Sequence, residues 1–129
     1  MGLVSKFFVL LSRYRSLLPY ITAQAKLETG GFTSGVYSTD NNMFGMKWTQ
    51  GRRGQVATKG LISPEGNYYA HYSSDVASLR DLLLWMDYAG FPVSVANSDQ
   101  YAIELKNRGY FTAGLSLYQS NLKVWLNKS

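Results

Sequence analysis

The chain has 129 residues, enough for one domain with its own core, and its 46% hydrophobic against 16% charged content is globular rather than disordered. Zero cysteines exclude disulfides, thiolate metal sites and cysteine nucleophiles, and a single histidine, His71, excludes a histidine metal cluster. A net charge of +5 favours an anionic partner such as nucleic acid, a membrane surface or an acidic wall polymer, and the ten tyrosines suit sugar or base surfaces as well as cores.

Residues 3–13 read as an amphipathic first helix. Its apolar run, Phe7 to Leu11, is far shorter than the roughly 20 residues of a membrane span, so no stable membrane insertion is expected. Lys6 follows the first apolar residues instead of preceding them and no small-residue cleavage site appears, so no signal peptide is expected. Lys6 also breaks the myristoylation pattern at its last position. A second helix runs from about Pro19 to Glu28, with Ile21, Ala25 and Glu28 on one side. Glu28 stands in the last turn, before Gly30-Gly31, where a helix favours a cation. The helix dipole and an apolar neighbourhood both disfavour its ionised form, which is the condition required of a general acid.

Residues 29–45 are rich in Gly, Ser, Thr, Asp and Asn and read as loop. From Lys47 to Tyr72 the pattern alternates loosely around Pro64-Glu65-Gly66, which predicts a small β-hairpin. Helices resume after Ser74, a predicted N-cap, with Asp75 in the first turn and Gly90 as the stop. Asn97 and Gln100 have capping-box spacing for a further helix with Lys106 and Arg108 at its end and Gly109 as terminator. The last helix, about 113–127, carries Leu115, Tyr118, Leu122 and Trp125 on one stripe. With no repeat, low-complexity tract or linker, residues 1–129 read as a single, mainly α (α+β) domain with a small β insertion.

Eight acids permit elimination. Asp81 and Asp87 read as solvated helix residues, Asp75 and Asp99 as first-turn acids, and Glu104 faces Arg108 at i+4. Glu28, Asp40 and Glu65 remain, all in or beside the loop-rich half.

The segment Ala23-Gln24-Ala25-Lys26-Leu27-Glu28-Thr29-Gly30, followed by Asn41-Asn42-Met43-Phe44-Gly45-Met46-Lys47, resembles the endo-β-N-acetylglucosaminidases of glycoside hydrolase family 73. These are peptidoglycan hydrolases of the flagellar-rod and autolysin type. Two further blocks, around Tyr72 and from Tyr101 to Leu122, extend the resemblance over roughly residues 20–125. It implies a lysozyme-like helical domain with a β-hairpin lobe flanking a glycan cleft. It also implies hydrolysis of the β-1,4 bond between N-acetylglucosamine and N-acetylmuramic acid, with Glu28 protonating the leaving oxygen. On the same analogy Asn41, Asn42 and Phe44 help shape and line the cleft, with core packing as the alternative reading of Phe44. Lys47 meets the substrate's carboxylates, and Tyr72 and Tyr110 stack on sugars. No cofactor or metal is implied, and the expected partner of a monomeric protein is the glycan strand of the bacterial cell wall.

Glycosidases usually pair two carboxylates, about 5–5.5 Å apart for retention and about 6.5–9.5 Å for inversion. Where related enzymes carry a second acid on the hairpin, this chain has Lys59. Glu65 is the candidate replacement, Asp40 is expected to cap its turn, and attack by the substrate's own acetamido oxygen needs no second acid. Three rival functions remain at this level: a lytic transglycosylase or muramidase on the same fold, a non-catalytic peptidoglycan-binding or assembly protein, and a nucleic-acid binder using Arg52 and Arg53. A charged hairpin loop is usually just solvated, so no nucleic-acid partner is expected.

Overall fold

A computed structural model describes residues 2–49 and 57–128, the side chains of Leu3 and Val4 excepted. Its elements run α1 (Leu3–Arg13), a 3-10 turn (Arg15–Leu17), α2 (Leu18–Thr29), α3 (Gly35–Asp40), β1 (Thr58–Ile62), β2 (Tyr68–His71), α4 (Asp75–Tyr88), α5 (Ser98–Asn107) and α6 (Leu115–Asn127). The fold is thus mainly helical with one small antiparallel hairpin. The chain divides into two compact units, Met1–Leu27 with Leu83–Ser129, and Glu28–Leu82. Among the described residues no helix is long and apolar enough to cross a membrane.

In the first unit the three-and-four spacing of α1 buries Phe7, Leu10 and Tyr14, and Leu17 and Ile21 continue the apolar surface. Leu83, Met86, Phe91, Tyr101, Leu105 and Leu122 are among its other buried side chains. Asn97 caps α5 as its spacing predicts, its Oδ1 accepting from the Gln100 N–H at 2.9 Å. The Glu104–Arg108 pair forms at 2.7 Å, and the same guanidinium donates to the carbonyls of Ala89 (3.2 Å) and Gly90 (3.1 Å). Tyr118 and Leu122 of the α6 stripe are buried, and Tyr118 stacks on Phe111 with centroids 4.0 Å apart. Asp87 is not merely solvated, because it ion-pairs with Arg13 and stands 3.7 Å from Lys6.

In the second unit α3 appears where the sequence reads as loop. Its six residues are weak helix formers, but the Ser34 hydroxyl accepts from the Tyr37 N–H at 3.1 Å and caps it. Asn41 ends it in the left-handed conformation, φ +50°, which Asn tolerates better than most residues. The predicted hairpin forms, with Thr58 opposite His71, Lys59 opposite Ala70 and Ile62 opposite Tyr68 across a bulge. Its turn closes through the Gly66 N–H on the Ser63 carbonyl, 2.9 Å, with Gly66 at φ +90°. Ala57, Ala70, Tyr72 and Ala77 form its core, with Trp48 packed against them. Ser74 caps α4 through the Ala77 N–H at 3.2 Å, as expected. Asp81, expected on a solvated face, is instead fully buried and accepts a hydrogen bond from the Tyr72 hydroxyl. Burying a carboxylate demands such a partner.

Tyr101 is fully buried with its hydroxyl on Gln24 Oε1, and desolvation pushes its ionisation well above the ordinary tyrosine range. The unfolded chain releases this proton near pH 10 while the folded chain retains it. The group's contribution to stability is therefore complete below about pH 10 and is lost as pH rises beyond it. Tyr101→Phe should lower stability near neutrality by about 1–3 kcal/mol by leaving Gln24 unpaired, and should flatten the alkaline decline. Urea midpoints measured either side of pH 10 check both effects.

Candidate active site

Glu28 is the penultimate residue of α2 and is partly buried. The helix stops immediately after it because Gly30, Gly31 and Phe32 all take left-handed backbone, φ +59°, +73° and +67°. Each such residue with a side chain costs about 1–2 kcal/mol, so the turn needs glycine and compensating hydrogen bonds. Thr29 supplies them. Its hydroxyl accepts from the Phe32 N–H at 2.8 Å, and its carbonyl accepts from the N–H groups of Thr33 (2.9 Å) and Ser34 (3.0 Å).

The chain returns to Glu28 through the loop that follows α3. Asn42 is buried and saturated: its Nδ2 donates to the carbonyls of Met46 and Ala70, each at 2.9 Å. Its Oδ1 accepts from the N–H groups of Phe44 (3.3 Å) and Met46 (3.2 Å). Asn41 Nδ2 donates to the Tyr72 carbonyl at 2.8 Å. Held in this way, the loop brings Gly45, at φ +65°, against the acid. A Cβ built there would stand 3.8 Å from Glu28 Oε2.

From Met46 the loop runs beside β2. The Met46 carbonyl accepts from the Ala70 N–H at 2.9 Å, Lys47 bridges Tyr69, and the Trp48 N–H donates to the Tyr68 carbonyl at 2.8 Å. The Lys47 ammonium sits 4.3 Å from the centre of the Tyr69 ring. Lys59, at the position where the resemblance led an acid to be expected, is exposed and holds its ammonium 5.0 Å from the Trp48 ring and 5.1 Å from the Tyr68 ring. Glu65 is exposed at the hairpin turn. A hydrogen bond from its own backbone N–H, then one from the Ser63 side chain, and the charge of Lys47 hold its carboxyl below the usual range.

Asp40 does not cap an exposed turn. It is 2% exposed, and its carboxylate accepts from the Leu61 N–H and lies against His71 Nδ1, each at 2.9 Å. Its carbonyl accepts from the Tyr72 N–H at 2.8 Å. Gly60 makes room for the carboxylate, since a Cβ there would meet Asp40 Oδ1 at 2.6 Å.

The profile described as "Glucosaminidase: Mannosyl-glycoprotein endo-beta-N-acetylglucosaminidase" matches residues 6–128. The chain belongs to this family. Comparison with curated proteins and with solved structures found no match. Membership of the glucosaminidase family implicates a glycosidase acting on peptidoglycan.

Of the residues singled out from sequence, Glu28, Asn41, Asn42, Phe44, Lys47, Glu65 and Tyr72 belong to one compact unit, and Tyr110 belongs to the other. Asn42, Phe44 and Tyr72 are 1%, 2% and 0% exposed, so the structure gives them bracing contacts and no surface for a polymer to touch. Tyr110 is half-buried, its ring 5.8 Å from that of Trp85. Arg52 and Arg53 lie outside the described residues. Among the described residues no group of three or more His, Cys, Asp or Glu side chains is arranged to hold a metal ion. Sequence reasoning missed the Asp40–His71 contact, which joins residues 31 apart. One signal pointed to it: a glycine inside a strand pattern marks a close approach, and Gly60 is that glycine.

Gly60→Ala should destabilise the protein by about 1–3 kcal/mol, because the new methyl has only the buried Asp40 carboxylate to displace. Urea denaturation, with faster hydrogen exchange at the β1 and β2 amides, checks this.

Proposed function

We propose that this protein is an N-acetylglucosaminidase of lysozyme-like fold that hydrolyses the β-1,4 bond between N-acetylglucosamine and N-acetylmuramic acid. Residues 1–129 act as one catalytic domain at the bacterial cell wall. Glu28 is the general acid. The observation that carries this reading is the position of Glu28: an acid at the C-terminal end of α2, partly buried, with the backbone of Gly45 brought to its carboxylate. The negative end of the helix dipole favours a proton on that carboxyl group, and a missing side chain at Gly45 leaves space beside it for a sugar oxygen. Membership of the glucosaminidase family supports the same assignment.

The accompanying residues divide by exposure. Asn42, Phe44 and Tyr72 hold the loop and hairpin in place. Asn41 fixes the start of that loop, and Lys47 offers a cation to the lactyl or peptide carboxylates of the wall polymer. Tyr110, with its ring partly open, is the tyrosine suited to stack on a sugar face. Glu65 has its carboxyl held below the usual range, which makes it a weaker base than an ordinary carboxylate.

Glu28→Gln should lower the rate of peptidoglycan hydrolysis by about 10²–10⁴-fold with little change in melting temperature. Digestion of purified peptidoglycan, with mass spectrometry of the new chain ends, is the measurement. New reducing N-acetylglucosamine ends support the proposal. Anhydro-muramic ends would instead assign a transglycosylase, reducing muramic ends a muramidase, and binding without new ends a non-catalytic role.

A further inference from the structure

The hairpin has two faces, set by strand alternation and register. Ala70 and Tyr72 point into the core. Tyr69 and His71 therefore point to the opposite face, with Lys47 beside Tyr69 and Thr58 beside His71. From Gly45, the neighbour of the Glu28 carboxylate, the chain runs directly into Met46 and Lys47, which pair with Ala70 and Tyr69 of β2. On it stands the chain's one histidine.

His71 and Asp40 differ sharply in exposure. The imidazole is 42% exposed, while the carboxylate it meets is 2% exposed and is also fixed by the Leu61 N–H. A buried carboxylate on Nδ1 selects the tautomer that carries its proton there. The Nε2 lone pair is then left as the acceptor, turned away from Asp40. This is the arrangement by which a carboxylate orients an imidazole base and stabilises the imidazolium formed when it accepts a proton. It places an oriented base on β2, in a hairpin where Lys59 stands in place of an expected acid.

We propose that His71, oriented by Asp40, is the base that activates the attacking water in the reaction for which Glu28 is the acid. This rests on the reading of Glu28 given above. Glu28 transfers its proton to the glycosidic oxygen as the bond from that oxygen to the anomeric carbon breaks, the bonding pair leaving with the oxygen. A water oxygen bonds to the anomeric carbon from the opposite face while its proton passes to His71 Nε2. The products are two sugar chain ends, a Glu28 carboxylate and a His71 imidazolium beside Asp40, and proton exchange with solvent restores both groups. Attack from the opposite face inverts the anomeric centre. His71 is thus a catalytic residue and Asp40 a positioning residue.

The test uses the full chain on a soluble peptidoglycan glycan fragment, comparing wild type, Glu28→Gln, His71→Ala and His71→Asn. The first-formed anomer is read by proton NMR. The wild type should release the α anomer first. His71→Ala should lose about 10²–10⁴-fold in turnover and recover part of it with added imidazole. His71→Asn retains an amide N–H able to reach Asp40 but has no basic nitrogen, so it should fold and remain as slow as His71→Ala. Release of the β anomer first would overturn the proposal, as would full activity in either His71 variant alongside an inactive Glu28→Gln. An active Glu28→Gln would overturn the reading of Glu28 itself, and the base assignment with it.

Discussion

One buried carboxylate organises residues 28–82. Asp40 has almost no contact with water, so its charge has to be answered from within the protein, and its partners come from the two strands of the hairpin: the Leu61 N–H on β1 and His71 on β2. A two-stranded hairpin is marginal in water by itself. Here it is tied to α3 by polar contacts to Asp40 at both strands, with the Tyr72 N–H on the Asp40 carbonyl as a third tie. The tie explains why a six-residue helix of weak formers persists. The residue that ends it is the residue the hairpin requires.

Seen from that anchor, the two short motifs of the first half are instructions for shaping backbone. In Glu28-Thr29-Gly30 the threonine hydroxyl and carbonyl absorb three N–H groups that a run of left-handed residues would otherwise leave unpaired. In Asn41-Asn42-Met43-Phe44-Gly45 the first asparagine accepts a positive φ and grips the Tyr72 carbonyl. The second closes the loop with its own amide, and the glycine passes the acid. The chemistry proposed for Glu28 depends on neighbours whose part is structural. Their task is to stop a helix abruptly and to return the chain to it.

Much of this was legible in the sequence, and the gaps have physical causes. Periodicity and caps gave α1, α2, α4, α5 and α6 because each buries a regular stripe, and Asn97 and Ser74 signalled their helix starts. The hairpin followed from its turn residues. α3 was hidden, since its stability lies in contacts with β1 and β2 and propensity argues against it. Asp81 was misread because charge suggests solvent, and only the fold brings the Tyr72 hydroxyl to it. The same limit applied to Asp40 and His71. Tertiary partners of polar residues leave little trace in periodicity, which records apolar burial.

Gly60 and Asp40 also constrain how this sequence can change. While the carboxylate occupies the space a side chain at position 60 would need, any residue there other than glycine has to displace it. Replacing Asp40 with a smaller residue frees that space but strands His71 and the Leu61 amide. The two positions are coupled through one space: a change at either alters what the other can hold, and with it how the hairpin is fastened.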